Sequence, residues 1–210
     1  MTDFNTMAEK LVACDAQGLQ DLVKSALDEG VTAQDILNQG LIAGMDVVGG
    51  EMESGEMFIP EVLMSAQAMA SCVEILKPLL GDEDGQESIN VIIGTVKGDL
   101  HDIGKNLVTM MMESAGMTVF DLGVDIPPED FVAQIREKNA RLVCLSALLT
   151  TTMPAMKSTV DAIVDAGLRD EVKILVSGAP VTQAFADDIG ADGFAADAGS
   201  ASKLAKQLAA

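Results

Sequence analysis

The stretch Ile89-Asn-Val-Ile-Ile-Gly-Thr95-Val-Lys-Gly98-Asp99-Leu-His101-Asp102-Ile103-Gly104-Lys-Asn106 decides how the chain is read. It opens as an apolar run, as expected of a strand buried on both faces of a sheet. It breaks into a polar, glycine-containing loop and resumes at Gly104 with helical spacing. The same alternation continues downstream. Short apolar runs at 118–122, 142–145, 174–176 and 193–195 are separated by amphipathic stretches at 128–139, 153–166 and 181–188, and 200–208 follows the last. Five strand–helix repeats predict a parallel sheet with helices on both faces. Such a sheet binds ligands beyond the carboxyl ends of its strands, where the strand order reverses. The loops after the first, third and fourth strands are therefore the ones that matter.

Upstream the rhythm is different. Residues 81–88, Gly-Asp-Glu-Asp-Gly-Gln-Glu-Ser, are polar, acidic and aperiodic, and read as a linker. Before them, apolar residues fall at helical spacing in four groups: Met7 to Val12, Leu19 to Leu27, Ile36 to Val48, and Val62 to Leu79. Thr32 with Asp35 marks one helix start, and Pro60 suits the first turn of another. The expected fold is α/β: a four-helix bundle over 1–80, an acidic linker over 81–88, and a Rossmann-like, flavodoxin-like domain with a five-stranded parallel sheet over 89–210. Residues 1–88 hold 17 acids and 3 bases, net −14; residues 89–210 hold 16 and 10, net −6.

Composition excludes several functions. A formal charge of −20 argues against nucleic acid, whose binding depends on basic side chains neutralising phosphates. One histidine, His101, rules out zinc sites built on several histidines and the HExxH helix. No basic segment followed by an apolar run opens the chain, and no stretch of about 18 uncharged apolar residues occurs. Neither a signal peptide nor a membrane span is expected. Cys14, Cys72 and Cys144 are widely spaced in apolar contexts, and read as buried thiols of a cytoplasmic protein.

The lone histidine falls in the loop after the first strand, with Asp99 before it and Asp102 directly after. A histidine whose second nitrogen is held by a carboxylate is a good metal ligand, because that bond fixes the tautomer and raises basicity. One histidine cannot build a metal site alone, so the metal has to bring most of its ligands with it, as in a macrocycle. Haem and a corrin both qualify. Haem is the poorer match, since it favours apolar walls in a helical bundle and often a CxxCH, which is absent. Gly104 at the next helix start leaves room for something bulky. After the third strand, Ser146-Ala-Leu148-Leu-Thr150-Thr-Thr152 offers hydroxyls that either cap the next helix or bind a polar tail and extend an Asp99 network. After the fourth, Ser177-Gly178-Ala-Pro is either an ordinary turn or the lining of a slot for a flat ring. A phosphoacceptor receiver is excluded by Ser146 at the end of the third strand, where that class needs Asp. No GxGxxG or Walker loop supports a nucleotide, and a flavin lacks aromatics.

Asp99-Leu-His101-Asp-Ile-Gly104, then Ser146-Ala-Leu148, then Gly178 resembles the cobalamin signature DxHxxG…SxL…GG. The family is the corrinoid proteins of methyltransferase systems, to which the cobalamin module of methionine synthase is related. The resemblance spans the chain, because Val47–Pro60 is similar to the family's cap segment. It implies cobalamin, carried as methylcobalamin in one state, bound with its benzimidazole tail buried in the sheet crevice. His101 would be the lower ligand of cobalt, Asp99 would accept its other ring N–H, and Thr152 would continue that relay. Asp102 and Ile103 lie within the signature. Ser146, Leu148 and Thr150 match positions around the tail, as do the small residues Gly104, Ser177 and Gly178. Met52 and Ile59 match the two residues that cover the corrin's methyl face. The sequence departs from the pattern at Ser177, in place of the first Gly of the pair, and at Met52, which is not aromatic.

The implied role is a methyl carrier, not catalytic on its own, in one-carbon metabolism. Cobalt(I) takes a methyl group from a donor held by a substrate-specific methyltransferase. A second methyltransferase passes it to an acceptor such as tetrahydrofolate or coenzyme M, and a reductive activase rescues oxidised cobalt. When the methyl leaves, His101 would dissociate and its relay would take up a proton. The competing readings are the cobalamin subunit of a radical mutase, a cobalamin-dependent sensor and a cofactor-free scaffold. The helical cap argues against the first. A sensor needs an output domain that 210 residues do not accommodate.

Overall fold

The computed structural model describes residues 3–79 and 89–209. The chain divides into two units, Met1–Glu87 and Ser88–Ala210. The linker expected at 81–88 lies outside the described residues.

The first unit is helical: α1 (Phe4–Val12), α2 (Ala16–Asp28), α3 (Ala33–Asp35), a π-helical segment (Ile36–Ile42), α4 (Ala43–Ser54), α5 (Ile59–Leu76) and a closing 3₁₀ turn (Lys77–Leu79). Helix starts follow local chemistry. The Asp15 carboxylate accepts the Gly18 N–H at 2.9 Å, and the Thr32 hydroxyl accepts the Asp35 N–H at 3.0 Å. At the head of α5 the Glu61 carboxylate reaches back to the Phe58 N–H at 2.8 Å, with Pro60 in the first turn. The third expected helix is therefore one continuous rod, but residues 36–42 wind more widely than the ordinary helix that its spacing suggests. Ile36, Gly40 and Leu41 of that segment are buried, and α1 packs on it.

Two sequence expectations bear on this unit, and the one on Cys14 is corrected. Residues 59–79 are, by length and mean hydropathy (1.3), apolar enough to cross a membrane. Within the bundle, α5 buries Val62, Ala66, Met69, Cys72 and Leu76 at helical spacing and packs on α1, α2 and α4, as a core helix does. Cys14 is only half-buried, in a left-handed turn (φ 55°) between α1 and α2; Cys72 and Cys144 are buried. Burial pushes the Cys72 thiol up to about 11, so it stays protonated and inert near neutrality.

The second unit alternates strand and helix: β1 (Asn90–Thr95), α6 (Ile103–Ser114), β2 (Thr118–Asp121), α7 (Pro128–Lys138), β3 (Leu142–Ser146), α8 (Met153–Asp165), β4 (Lys173–Ser177), α9 (Gln183–Ile189), β5 (Gly193–Ala195) and α10 (Ala198–Ala209). The five strands are parallel in the order β2-β1-β3-β4-β5. Ile92, Val143, Leu145, Ile174 and Val176 pack against Phe131, Ile135, Met156, Val160 and Ile163 of α7 and α8. On the other face lie α6 and α10, where Cys144 meets Met112. Two-sided burial is why the central strands β1, β3 and β4 read as apolar runs, whereas the edge strand β2 is partly exposed.

β3 and β4 extend through Ser146 and Ser177 because both serines still pair in the ladder. Thr95, Ser146, Ser177 and Ala195 stand side by side along the carboxyl edge. α9 starts after Thr182, not at 181, because the Thr182 hydroxyl caps it by accepting the Phe185 N–H. The chain leaves β1 for β2 on one side and returns to β3 on the other, so the reversal lies between β1 and β3, at His101's loop.

The loops after β3 and β4 close tightly on each other. Gly178 has φ 133°, and a Cβ there would stand 1.9 Å from the Ala147 carbonyl oxygen. Its small size is therefore required by contact between the two backbones. Gly178→Ala is expected to destabilise the protein by at least about 2 kcal/mol, through a left-handed alanine and forced separation of the loops. Urea unfolding of the variant measures this.

Candidate functional site

Residues 96–99 form a tight turn in which the Asp99 N–H donates to the Val96 carbonyl at 3.1 Å. Gly98 takes the third position with φ 85°, as this turn demands. Flanking strands anchor it. The Val96 N–H reaches the Ser146 carbonyl, the Thr95 N–H the Gly123 carbonyl, and the Ile126 N–H the Thr95 carbonyl, each at 3.0 Å. The Thr95 hydroxyl donates to the His101 carbonyl at 2.8 Å. The loop is thus fastened to both neighbouring strands.

The turn carries Asp99 inward, fully buried. Burial opposes a charge there, but four hydrogen bonds outweigh it and hold the carboxyl well below the usual carboxylate range. The Thr152 hydroxyl donates at 2.6 Å and the Leu148 N–H at 2.7 Å, both to Oδ2. The His101 N–H donates at 3.1 Å to Oδ1, which also lies 2.7 Å from His101 Nδ1. An ionised carboxylate only accepts, so Nδ1 carries the proton. Nε2 is left with its lone pair and has no hydrogen-bonding partner among the described residues, on a side chain 51% exposed. The Thr152 side chain does not cap α8; it is committed to Asp99.

The other expected residues differ in element and in exposure. Asp102, Ile103 and Gly104 are exposed at the start of α6, with Ile103 79% exposed and Leu100 beside it at 71%. A Cβ on Gly104 would meet no atom within 4 Å, so protein packing leaves that space free. Ser146 and Ser177 are half-buried on the carboxyl edge, and Leu148 and Thr150 are exposed on the loop after β3. Met52 and Ile59 belong to the helical unit, half-buried in α4 and exposed at the start of α5, respectively. Two neighbours carry no role in the sequence reading. Lys105 is buried and paired with Asp121 and Asn106. Asp125 lies in the loop after β2 with φ 57°; Gly123 before it and the Pro127-Pro128 pair two residues on are the turn signals that mark this loop.

Among the described residues, no group of three or more His, Cys, Asp or Glu could hold a metal ion. A B12 binding domain model matches residues 89–204, and a second B12 binding domain model matches residues 4–77. Dimethylamine corrinoid protein 1 of Methanosarcina acetivorans is 42% identical over 205 residues, 97% of this chain and 96% of its own. This chain belongs to the corrinoid proteins. A corrinoid protein of Desulfitobacterium hafniense is 40% identical over 99% of this chain and 98% of its own. Among solved structures, a cobalamin-binding protein of Desulfitobacterium hafniense aligns over 100% of both chains with TM-score 0.88 and 31% identity. The methanol:cobalamin methyltransferase complex of Methanosarcina barkeri aligns over 96% of this chain and 77% of that one, with TM-score 0.80 and 29% identity.

The cofactor of this corrinoid protein is cobalamin, and the site suits it. A single imidazole with a free, half-exposed nitrogen serves a metal that brings its other ligands. The open space at Gly104 and the exposed Leu100, Ile103 and Leu148 offer apolar surface for a large ring.

Because Asp99 is held below its ordinary value of 3.8, the folded state gains stability from its ionisation. That gain is complete above pH 3.8 and is lost as pH falls further, through the lowered folded-state value. Asp99→Asn is expected to be less stable than the parent near neutrality, with the gap narrowing on acidification below pH 4. Urea midpoints of both proteins across that range measure it.

Proposed function

We propose that this corrinoid protein is a methyl carrier, with His101 as the lower ligand of cobalt and Asp99 and Thr152 as its relay. The observation that carries this reading is the bare Nε2 of His101, backed at Nδ1 by a buried carboxylate at 2.7 Å. When bound, cobalamin supplies a cobalt that takes up a methyl group and gives it away.

The chain's own groups set the lower face. With Nδ1–H donating to Asp99, the Nε2 lone pair is available and the ring cannot turn freely. When Nε2 is not ligating, it can hold a proton, and the resulting cation lies against the Asp99 carboxylate that offsets it. The Thr152 hydroxyl lies 2.6 Å from Asp99 Oδ2 and 2.9 Å from the Leu149 carbonyl, so it can turn its proton toward either. Ser146, Thr150, Ser177, Gly178, Asp102, Ile103, Gly104 and Leu148 would surround the tail and ring; for Met52 and Ile59 of the helical unit the family resemblance implies a covering role toward the cofactor.

A methyltransferase that presents the methyl donor is the first partner. A second, serving tetrahydrofolate or coenzyme M, takes the methyl away, and a reductive activase restores oxidised cobalt. The M. barkeri methanol:cobalamin methyltransferase complex supports the first partnership. The match of the helical unit to its own B12 binding domain model favours a methyl carrier over a mutase subunit. His101→Ala, reconstituted with cobalamin, is expected to lose the histidine-ligated visible spectrum and to bind cobalamin about ten- to a hundred-fold more weakly. An unchanged spectrum would overturn the ligand assignment.

A further inference from the structure

Asp125 sits in the loop after β2, reaches the site only through backbone groups, and does not touch His101. Its N–H donates to the Asp99 carbonyl at 3.0 Å, and its Oδ1 accepts the Gly98 N–H at 2.7 Å. These two bonds bracket Gly98 and Asp99, the residues whose backbone angles aim the Asp99 carboxylate. Next to it, Ile126 makes a parallel bridge to Val96.

We infer that Asp125 is a positioning residue for the His101 ligand. The inference rests on the reading of His101 given above. Asp99 is gripped from two directions. The loop after β3 holds its carboxylate through Leu148 and Thr152. The loop after β2 holds its main chain through Asp125. Gly98 is the flexible joint between the strand and Asp99, and rotation there would swing the carboxylate and the imidazole together. The Asp125 carboxylate fixes that joint.

Backbone conformation alone does not explain an aspartate at this position. At φ 57° a glycine avoids the strain that a side chain brings. The Gly98 N–H lies at an exposed site where water could satisfy it, so little stability depends on the carboxylate. What aspartate adds is a fixed acceptor, and its benefit lies in orienting the ligand.

The test compares Asp125→Gly with Asp125→Asn. Both residues tolerate a left-handed backbone, so both variants are expected to fold, and only Asn keeps an acceptor. Asp125→Gly is expected to speed amide exchange at Gly98 and Asp99 in the cofactor-free protein. After reconstitution, it is expected to bind cobalamin about tenfold more weakly, with a smaller histidine-ligated fraction in the visible spectrum. Asp125→Asn is expected to return both measurements to parent values. A Gly variant that matches the parent in both overturns the inference. An Asn variant as defective as Gly also overturns it, by assigning the effect to charge and not to the hydrogen bond. If the parent itself binds cobalamin without histidine ligation, the reading of His101 fails. Amide exchange in the cofactor-free variants still shows whether Asp125 orders the turn.

Discussion

A carboxylate sealed from water keeps its charge only when donors in the protein replace the solvent. Asp99 meets that condition with one hydroxyl, one ring nitrogen and two backbone N–H groups. Those donors come from two loops that the chain reaches 49 and more residues apart, so the charge exists only when β1 and β3 are correctly paired. The sheet register, the turn at Gly98 and the start of α8 all serve that one carboxylate. In return, its ionised state dictates which nitrogen of His101 carries hydrogen. The lone pair on Nε2 is thus set by a carboxylate that bonds the other ring nitrogen.

Most of this fold was legible in the sequence because burial on both faces leaves an unmistakable pattern. The central strands β1, β3 and β4 are apolar runs, and the helices between the strands show clear periodicity. The site was legible where chemistry is concentrated in side chains: one histidine, flanked by acids, at the reversal of strand order. Thr152 could be read as a helix cap or as part of an Asp99 network; the geometry places its hydroxyl on the carboxylate. The π-helical winding of 36–42 was not legible, because the apolar spacing of one wide turn differs little from that of an ordinary helix. Asp125 was hidden for a different reason. Its contacts go to backbone groups 26 and 27 residues away, and backbone groups have no sequence signature. Gly178 was visible as a small residue, but its cause is a neighbouring carbonyl.

Rigidity is also unevenly distributed around the site. The loop after β1 is tied to β3 and to the segments after β2 and β3, and the loop after β4 is pressed against Ala147. By contrast, Leu100, Ile103 and Leu148 project outward. A firmly held imidazole beside exposed apolar side chains is an arrangement that suits a bulky ring. Most of the chain's formal negative charge lies in residues 1–88, away in sequence from this loop.

The isolation of Nε2 has a consequence for metal choice. Free zinc, nickel and copper ions bind proteins through sets of converging ligands, and copper outcompetes most others wherever such a set exists. Here a passing ion finds one imidazole, whose other nitrogen is already engaged by Asp99. A single bond retains none of them against water. Among the described residues, this geometry suits a metal that arrives already enclosed.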